Sequence, residues 1–185
     1  MSRPVVIVFT RIPRLGVGRR RLARKIGDRG ALNLSRVILQ RLLRRLSRLQ
    51  GVDRVVAVTP DYHTRFYAPG CLVLPQGRGD LGARMQRAFR RFPRRVVVLI
   101  GSDIPDIGVA DIRTAFRLLR THHAVFGPAE DGGYWLIGLS GRRPDAMFAD
   151  IRWSSSHALT DTQRNFPRRR IALLRILRDI DEDAP

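Results

Sequence analysis

Two aspartates close an apolar run in the stretch Val96-Val97-Val98-Leu99-Ile100-Gly101-Ser102-Asp103-Ile104-Pro105-Asp106. The β-branched run predicts a buried, parallel strand. Its abrupt end in Gly-Ser-Asp delivers a carboxylate to the strand's carboxyl end, where open α/β sheets bind ligands. Asp103 and Asp106, on a stiff Pro-containing turn, can hold a hard divalent cation against a phosphate. The same residues would equally serve as a helix cap and a turn former. A second acidic pair, Glu130-Asp131, precedes Gly132-Gly133-Tyr134-Trp135. A carboxylate there can bind metal, take a proton or hydrogen-bond sugar hydroxyls. Asp-Gly-Gly is also an ordinary turn between strands.

Two further loops are rich in glycine. Arg11-Ile12-Pro13-Arg14-Leu15-Gly16-Val17-Gly18-Arg19-Arg20-Arg21-Leu22 follows an apolar run and precedes a helical pattern. Its glycines permit close backbone approach, a helix start favours anions, and its arginines offer bidentate phosphate contacts. A basic surface loop is the alternative, and Gly-Lys-Ser/Thr is absent, so this is no Walker A loop. Pro75-Gln76-Gly77-Arg78-Gly79-Asp80-Leu81-Gly82-Ala83-Arg84-Met85 places a backbone against something flat or phosphorylated, or else makes a tight strand-to-helix turn. Trp153-Ser154-Ser155-Ser156-His157 reads as a polar loop and helix cap. No nucleophile elbow accompanies its Ser-His pair, which argues against a hydrolase triad.

The elements that must position these loops follow from periodicity. Strands are expected at Val5 to Phe9, Val52 to Val58, Cys71 to Leu74, from Val96, at Ala124 to Phe126 and at Tyr134 to Leu139. Leu34, Ile38, Leu42, Leu46 and Leu49 form one stripe of a helix over Ala31 to Leu49. Asp80 fits the N-cap of a helix burying Leu81, Met85, Ala88, Phe89 and Phe92, and another helix runs through Ala115, Phe116 and Leu119. Strands alternating with helices imply a mainly parallel sheet with helices on both faces, a Rossmann-like three-layer αβα sandwich.

The length of 185 residues suits a single domain, 1–185, with a sizeable core. Cys71 is the one cysteine, which excludes an intrachain disulfide and suggests a reducing, cytoplasmic compartment. The opening Met1-Ser2-Arg3-Pro4 and the short run after it predict neither a signal peptide nor a membrane span. The net charge of +19 would suit a polyanion. It is carried by arginines scattered along the chain, with Lys25 the lone lysine, and reads as a solvated basic surface. Zinc-ligand pairs and stacking aromatics are both missing, so no specific nucleic-acid partner is expected.

In order, the stretches PRLGVGRRRLA, QGRGDLGARM, IGSDIPDI, GPAEDGGYWLIGL and WSSS resemble the small bacterial GT-A-type glycosyltransferases associated with arsenosugar biosynthesis, within the nucleotide-diphospho-sugar transferase superfamily. Asp179-Ile180-Asp181-Glu182-Asp183 is similar to a shortened form of that family's acidic ending. The resemblance implies a GT-A sheet that binds a nucleotide sugar at its carboxyl edge and passes the sugar to a small-molecule acceptor. It implies Mg²⁺ or Mn²⁺ on the diphosphate, with Asp103 as ligand and Asp106 supporting the turn or joining it. Gly16, Arg19 and Arg21 would cradle phosphates, and Gln76, Gly77, Asp80 and Arg84 would line the nucleotide pocket. Asp131 would act on sugar or acceptor as base or hydrogen-bond partner, with Tyr134 and Trp153 packing the wall. Arg19 and Arg20 replace a Lys-Thr pair usual in the family, which keeps the charge but not the compact ammonium. A nucleotidyltransferase acting on a nucleoside triphosphate and releasing pyrophosphate is the alternative. A degenerate nucleotide-binding protein is a third.

Overall fold

The computed structural model describes residues 2–17, 20–63 and 66–178, with backbone alone at 20, 21 and 63. The elements are β1 (Val5–Arg11), α1 (Arg20–Leu46), β2 (Asp53–Thr59), a 3₁₀ turn (Asp61–His63), β3 (Leu72–Pro75), α2 (Leu81–Arg90), β4 (Val97–Gly101), α3 (Val109–Leu118), β5 (Ala124–Pro128), β6 (Tyr134–Leu139), α4 (Ala158–Arg164) and β7 (Ile171–Leu173). The strands form one seven-stranded sheet in the order β3-β2-β1-β4-β6-β5-β7. Every neighbouring pair is parallel except those made by β6, which runs against β4 and β5.

Alternation along the strands builds the three layers. Val6, Val8, Val56, Val98 and Ile100 point to one face, against Leu39, Leu42 and Leu46 of α1 and Ile112 and Ala115 of α3. Val5, Ile7, Val55, Val97 and Leu99 point to the other, against Met85, Ala88 and Phe89 of α2 and against Met147, Phe148 and Phe166. Both faces are covered, which is why β1 and β4 read as continuous apolar runs instead of alternating ones. Among the described residues no helix is long and apolar enough to cross a membrane.

Several boundaries differ from the sequence reading for physical reasons. β1 continues through Thr10 and Arg11, because both still pair with β2. The first helix begins at Arg20 rather than Ala31, interrupted at Gly27, whose φ of 74° is left-handed. The opening residues Arg20 to Lys25 are good helix formers, so propensity starts the helix where periodicity gave no signal. β7 was not foreseen. It is a three-residue edge strand beside β5, embedded in arginines. The stretch Trp153 to His157 does serve as polar loop and cap: His157 is the N-cap of α4, without a side-chain bond.

Gln76 fastens the strand ends. Only 2% exposed, it donates through Nε2 to the Thr10 and Ala57 carbonyls at 3.0 and 2.9 Å. Its backbone N–H donates to Val58 O and its own carbonyl accepts from Arg87. Asp161 fastens the loop before α4. This buried carboxylate accepts from the Arg152 backbone N–H (3.2 Å), from Arg152 Nε and Nη2 (2.8 and 2.9 Å) and from Arg164. The Arg152 guanidinium holds the Asp161 carboxyl well below the usual carboxylate range.

Two stability measurements test these joints. Gln76→Ala removes the donor to two interior carbonyls and should cost about 2 kcal/mol or more, a fall of about 4 °C or more in Tm by calorimetry. The second concerns pH. A depressed folded-state pKa contributes stability that is complete above the unfolded value, roughly 4, and is lost as pH falls through the folded value. Asp161→Asn should therefore melt below the wild type at pH 7, and the gap should close as pH drops below about 4. A gap independent of pH would show that the charge of Asp161 does not matter.

Candidate functional site

The carboxyl ends of β1, β2 and β4 and the chain after β3 open onto one cleft of ≈ 500 Å³. Its floor carries Thr10, Gln76 and Gly101, its rim Arg11, Arg84 and Asp103. The turn between β5 and β6 and the loop 153–155 cover it with Asp131, Tyr134, Trp153, Ser154 and Ser155. The fold thus brings Asp103 and Asp131 into one cavity from separate loops. Both carboxylates are solvent-exposed there.

The loop bearing Asp103 is clamped from outside. Arg45 of α1 donates to the carbonyls of Pro105 and Ile107. Arg175, beyond β7, donates to Asp106 O at 2.9 Å and pairs with Asp111 at the start of α3. Burial alone would raise the Asp111 carboxyl, but Arg175 and the Gly108 N–H hold it below its ordinary value. On the inner side Ser102, buried, bonds Thr10 Oγ1 at 2.8 Å and so ties β4 to β1.

Asp131 is set by its own turn: Oδ1 accepts the Gly133 N–H at 2.8 Å. Gly132 has a φ of 82°, and a Cβ there would run into the Ser156 backbone, while its carbonyl accepts the Leu159 N–H. The acidic turn is therefore docked on the start of α4. Tyr134 and Trp153 pack the wall. Burial pushes the Tyr134 phenol up, so it stays protonated, within 3.4 Å of Thr162 Oγ1.

Arg84 lies across the rim, donating from Nη1 to Gln76 Oε1 at 3.0 Å and from Nε to Asp80 O at 3.2 Å. The remaining expected residues stand elsewhere. Asp80 caps α2, its carboxylate accepting the Ala83 N–H at 2.7 Å. Gly77, at φ 81°, gives its N–H to Asp61. Gly16 lines a small separate hollow between the first loop and α1. Asp106 is exposed and does not line the cleft; its carbonyl accepts from Arg175, and its carboxylate acts on the charge of the same arginine. Arg19 and the Arg21 side chain lie outside the described residues. Arg11, read from the sequence only as the head of the first glycine-rich loop, ends β1 and lines the cleft. Its signal was the continuation of the first apolar run by Thr10-Arg11, which places a cation on the carboxyl edge.

The donor set is all oxygen, which suits Mg²⁺ or Mn²⁺. Among the described residues no three His, Cys, Asp or Glu converge. A cation held by Asp103 would complete its shell from diphosphate oxygens and water, as Mg²⁺ commonly does.

No curated protein matches the sequence significantly. A family model described as an uncharacterized protein conserved in bacteria, DUF2064, matches residues 42–155. A solved structure of a candidate nucleotide-diphospho-sugar transferase from Desulfovibrio desulfuricans G20 is 30% identical, with a TM-score of 0.84 over 98% of this chain and 83% of that one. Two others share the fold. Glucosyl-3-phosphoglycerate synthase from Mycobacterium tuberculosis, in complex with Mn²⁺, UDP and phosphoglyceric acid, is 13% identical (TM-score 0.57; 96% and 70% covered). The 4-diphosphocytidyl-2C-methyl-D-erythritol synthase of Anaerococcus prevotii is 9% identical (TM-score 0.60; 94% and 87% covered). With the matched model spanning more than half of its length, the chain belongs to the DUF2064 family, and its α/β sheet has the GT-A-like, nucleotide-diphospho-sugar transferase fold.

Proposed function

We propose that the protein is a transferase that moves a glycosyl group from a nucleoside diphosphate sugar to a hydroxyl acceptor. The observation that carries this reading is the convergence of Asp103, Asp131, Arg11 and Arg84 on one cleft at the carboxyl edge of the parallel strands. That edge is where open α/β sheets take nucleotides. The relatives are transferases by description, and one was solved with UDP and Mn²⁺.

In this reaction the acceptor oxygen forms a bond to the anomeric carbon, the carbon–oxygen bond to the diphosphate breaks, and a nucleoside diphosphate leaves. Arg84, oriented by Gln76, and Arg11 offset the charge of the diphosphate. Arg19 and Arg21 of the first loop belong to the same phosphate cradle in this proposal. Asp103 would hold Mg²⁺ or Mn²⁺, which when bound stabilises charge on the departing diphosphate. Asp131 accepts the acceptor's proton or hydrogen-bonds the sugar. One carboxylate oxygen is fixed by Gly133, so the other is aimed by the turn. Tyr134, Trp135 and Trp153 wall the site and limit water. The arsenosugar setting is the finer part of the proposal and concerns the acceptor; an acceptor screen including arsenical alcohols addresses it. A one-domain, cytoplasmic protein is the setting assumed.

The nucleotidyltransferase among the fold relatives favours a second reading, attack on the α-phosphorus of a nucleoside triphosphate. Products separate the two: a free nucleoside diphosphate supports glycosyl transfer, and pyrophosphate supports the second.

Two variants test the roles. Mn²⁺ should tighten UDP binding in calorimetry by about tenfold or more, and Asp103→Asn should remove that gain while leaving metal-free binding in place. An unchanged gain would exclude Asp103 as ligand. Asp131→Asn keeps the bond to Gly133 and should melt near the wild type, yet lose roughly 10²- to 10⁴-fold in turnover if Asp131 is the base. Near-normal turnover would leave it a turn-former only.

A further inference from the structure

The opposite edge of the sheet carries a second concavity, a shallow groove of ≈ 690 Å³. It lies between the loop before β4, the end of α3 and the residues after β6. Arg94, Arg120 and Arg142 line it, with His122 and His123 between them and Val96 and Leu119 as an apolar floor. We propose that this groove is a binding site for a small ligand carrying two or more phosphate groups, separate from the cleft and from any function assigned above.

Charge and shape together make the case. Exposed arginines are common on this protein, and on a convex surface each is screened by water alone. Here three line one concavity, where low-dielectric walls focus their field. Arg94, Arg120 and Arg142 make no side-chain hydrogen bond or ion pair with any described residue. Mutual repulsion of three such groups is relieved by an anion, and guanidinium forks match phosphate oxygens. His123 adds a donor. Its Nδ1 accepts the Arg170 N–H at 3.2 Å, so in the neutral ring the proton sits on Nε2. The volume is that of a small-molecule site, and three cations exceed what one carboxylate would need.

The walls are fixed before any ligand arrives. The half-buried Arg143 donates to the carbonyls of Phe89, Arg95 and Ser140 and lies over the Phe89 ring. Burial brings its pKa down to about 10, so it remains cationic at neutral pH. It thereby locks the chain before β4 to the chain after β6. At the same seam a Cβ on Gly141 would strike the Arg94 carbonyl, and Arg94 itself has a φ of 58°. A left-handed conformation is unfavourable for an arginine, and here it accompanies a closely packed backbone that presents Arg94 and Arg142 to one groove. Fixed walls reduce the entropy lost on binding.

Tripolyphosphate is the probe, titrated at constant ionic strength while the imidazole resonances of His122 and His123 are followed by NMR. Saturable shifts of both are expected. Arg94→Gln, Arg120→Gln and Arg142→Gln combined should weaken the affinity read from these shifts at least tenfold. A charge-matched control, Arg36→Gln, Arg41→Gln and Arg113→Gln combined, should weaken it less than threefold. If the groove triple variant does not fold, Arg120→Gln alone, an exposed position, should still cost about threefold. Absent or non-saturating shifts overturn the proposal, as does equal weakening in both triple variants, which would mean the general field of the protein. An RNA oligonucleotide that moves the same resonances more tightly than tripolyphosphate would overturn the small-ligand assignment. UDP binding at the cleft is measured in parallel and should be unchanged in the groove variants.

Discussion

The buried amide of Gln76 is the joint on which the cleft depends. A side-chain amide sealed inside a protein must have its hydrogen-bonding capacity met, or its desolvation goes unrepaid. Here both Nε2 protons go to strand-end carbonyls, Oε1 takes Arg84, and the backbone N–H and carbonyl are used as well. The chain after β3 is thereby sewn to β1 and β2, and α2 starts where Asp80 can cap it. Arg84, one turn into α2, inherits its direction from the same amide. The side chain that stabilises the floor also aims the cation on the rim.

The charge imbalance takes on a structural meaning in this light. With 35 Lys and Arg against 16 Asp and Glu, most guanidiniums cannot find a carboxylate. Many bind backbone carbonyls instead: Arg45 on Pro105 and Ile107, Arg87 on Gln76 and Arg78, Arg143 on Phe89, Arg95 and Ser140, Arg169 on Arg142; Arg175 binds the Asp106 carbonyl as well as the Asp111 carboxylate. Loops leave carbonyls without ladder partners. A forked cation can satisfy two at once and so hold a loop without a regular element. The loop bearing Asp103 is held this way from two sides. Part of the basic surface is thus scaffold for the irregular chain segments.

Most of the fold was legible because both sheet faces are covered. Continuous apolar runs marked β1, β4 and β6, and Asp80 marked the start of α2. The start of α1 was not legible from a stripe, since between Leu22 and Gly30 Leu22 alone is buried and one residue sets no period. β7 was not legible because three residues carry too short a pattern. At the site, Asp103 and Asp131 were found from strand ends and glycine turns, and both line the cleft. Arg11 was placed in the loop and not on the sheet edge, because one residue of strand extension decides between the two. Asp80 and Asp106 stand outside the cleft lining. A carboxylate beside a glycine or proline turn serves the turn as readily as a ligand, and only the packing of Arg175 and the capping bond to Ala83 separate these uses.

In the proposed role Asp131 combines the two uses. A group that does chemistry must be held in one orientation before substrate arrives. On a hairpin turn the cheapest way to hold a carboxylate is to let one oxygen accept a backbone N–H, as Oδ1 does from Gly133. Gly132 then allows the turn to lie against Ser156, and its carbonyl is tied to Leu159, so α4 anchors the turn in turn. Asp161 fixes the loop that enters α4 through Arg152. The position of one exposed carboxylate thus rests on a buried one, and the polar chain from Asp161 through α4 to Asp131 is the part of the cleft with no counterpart in the apolar core.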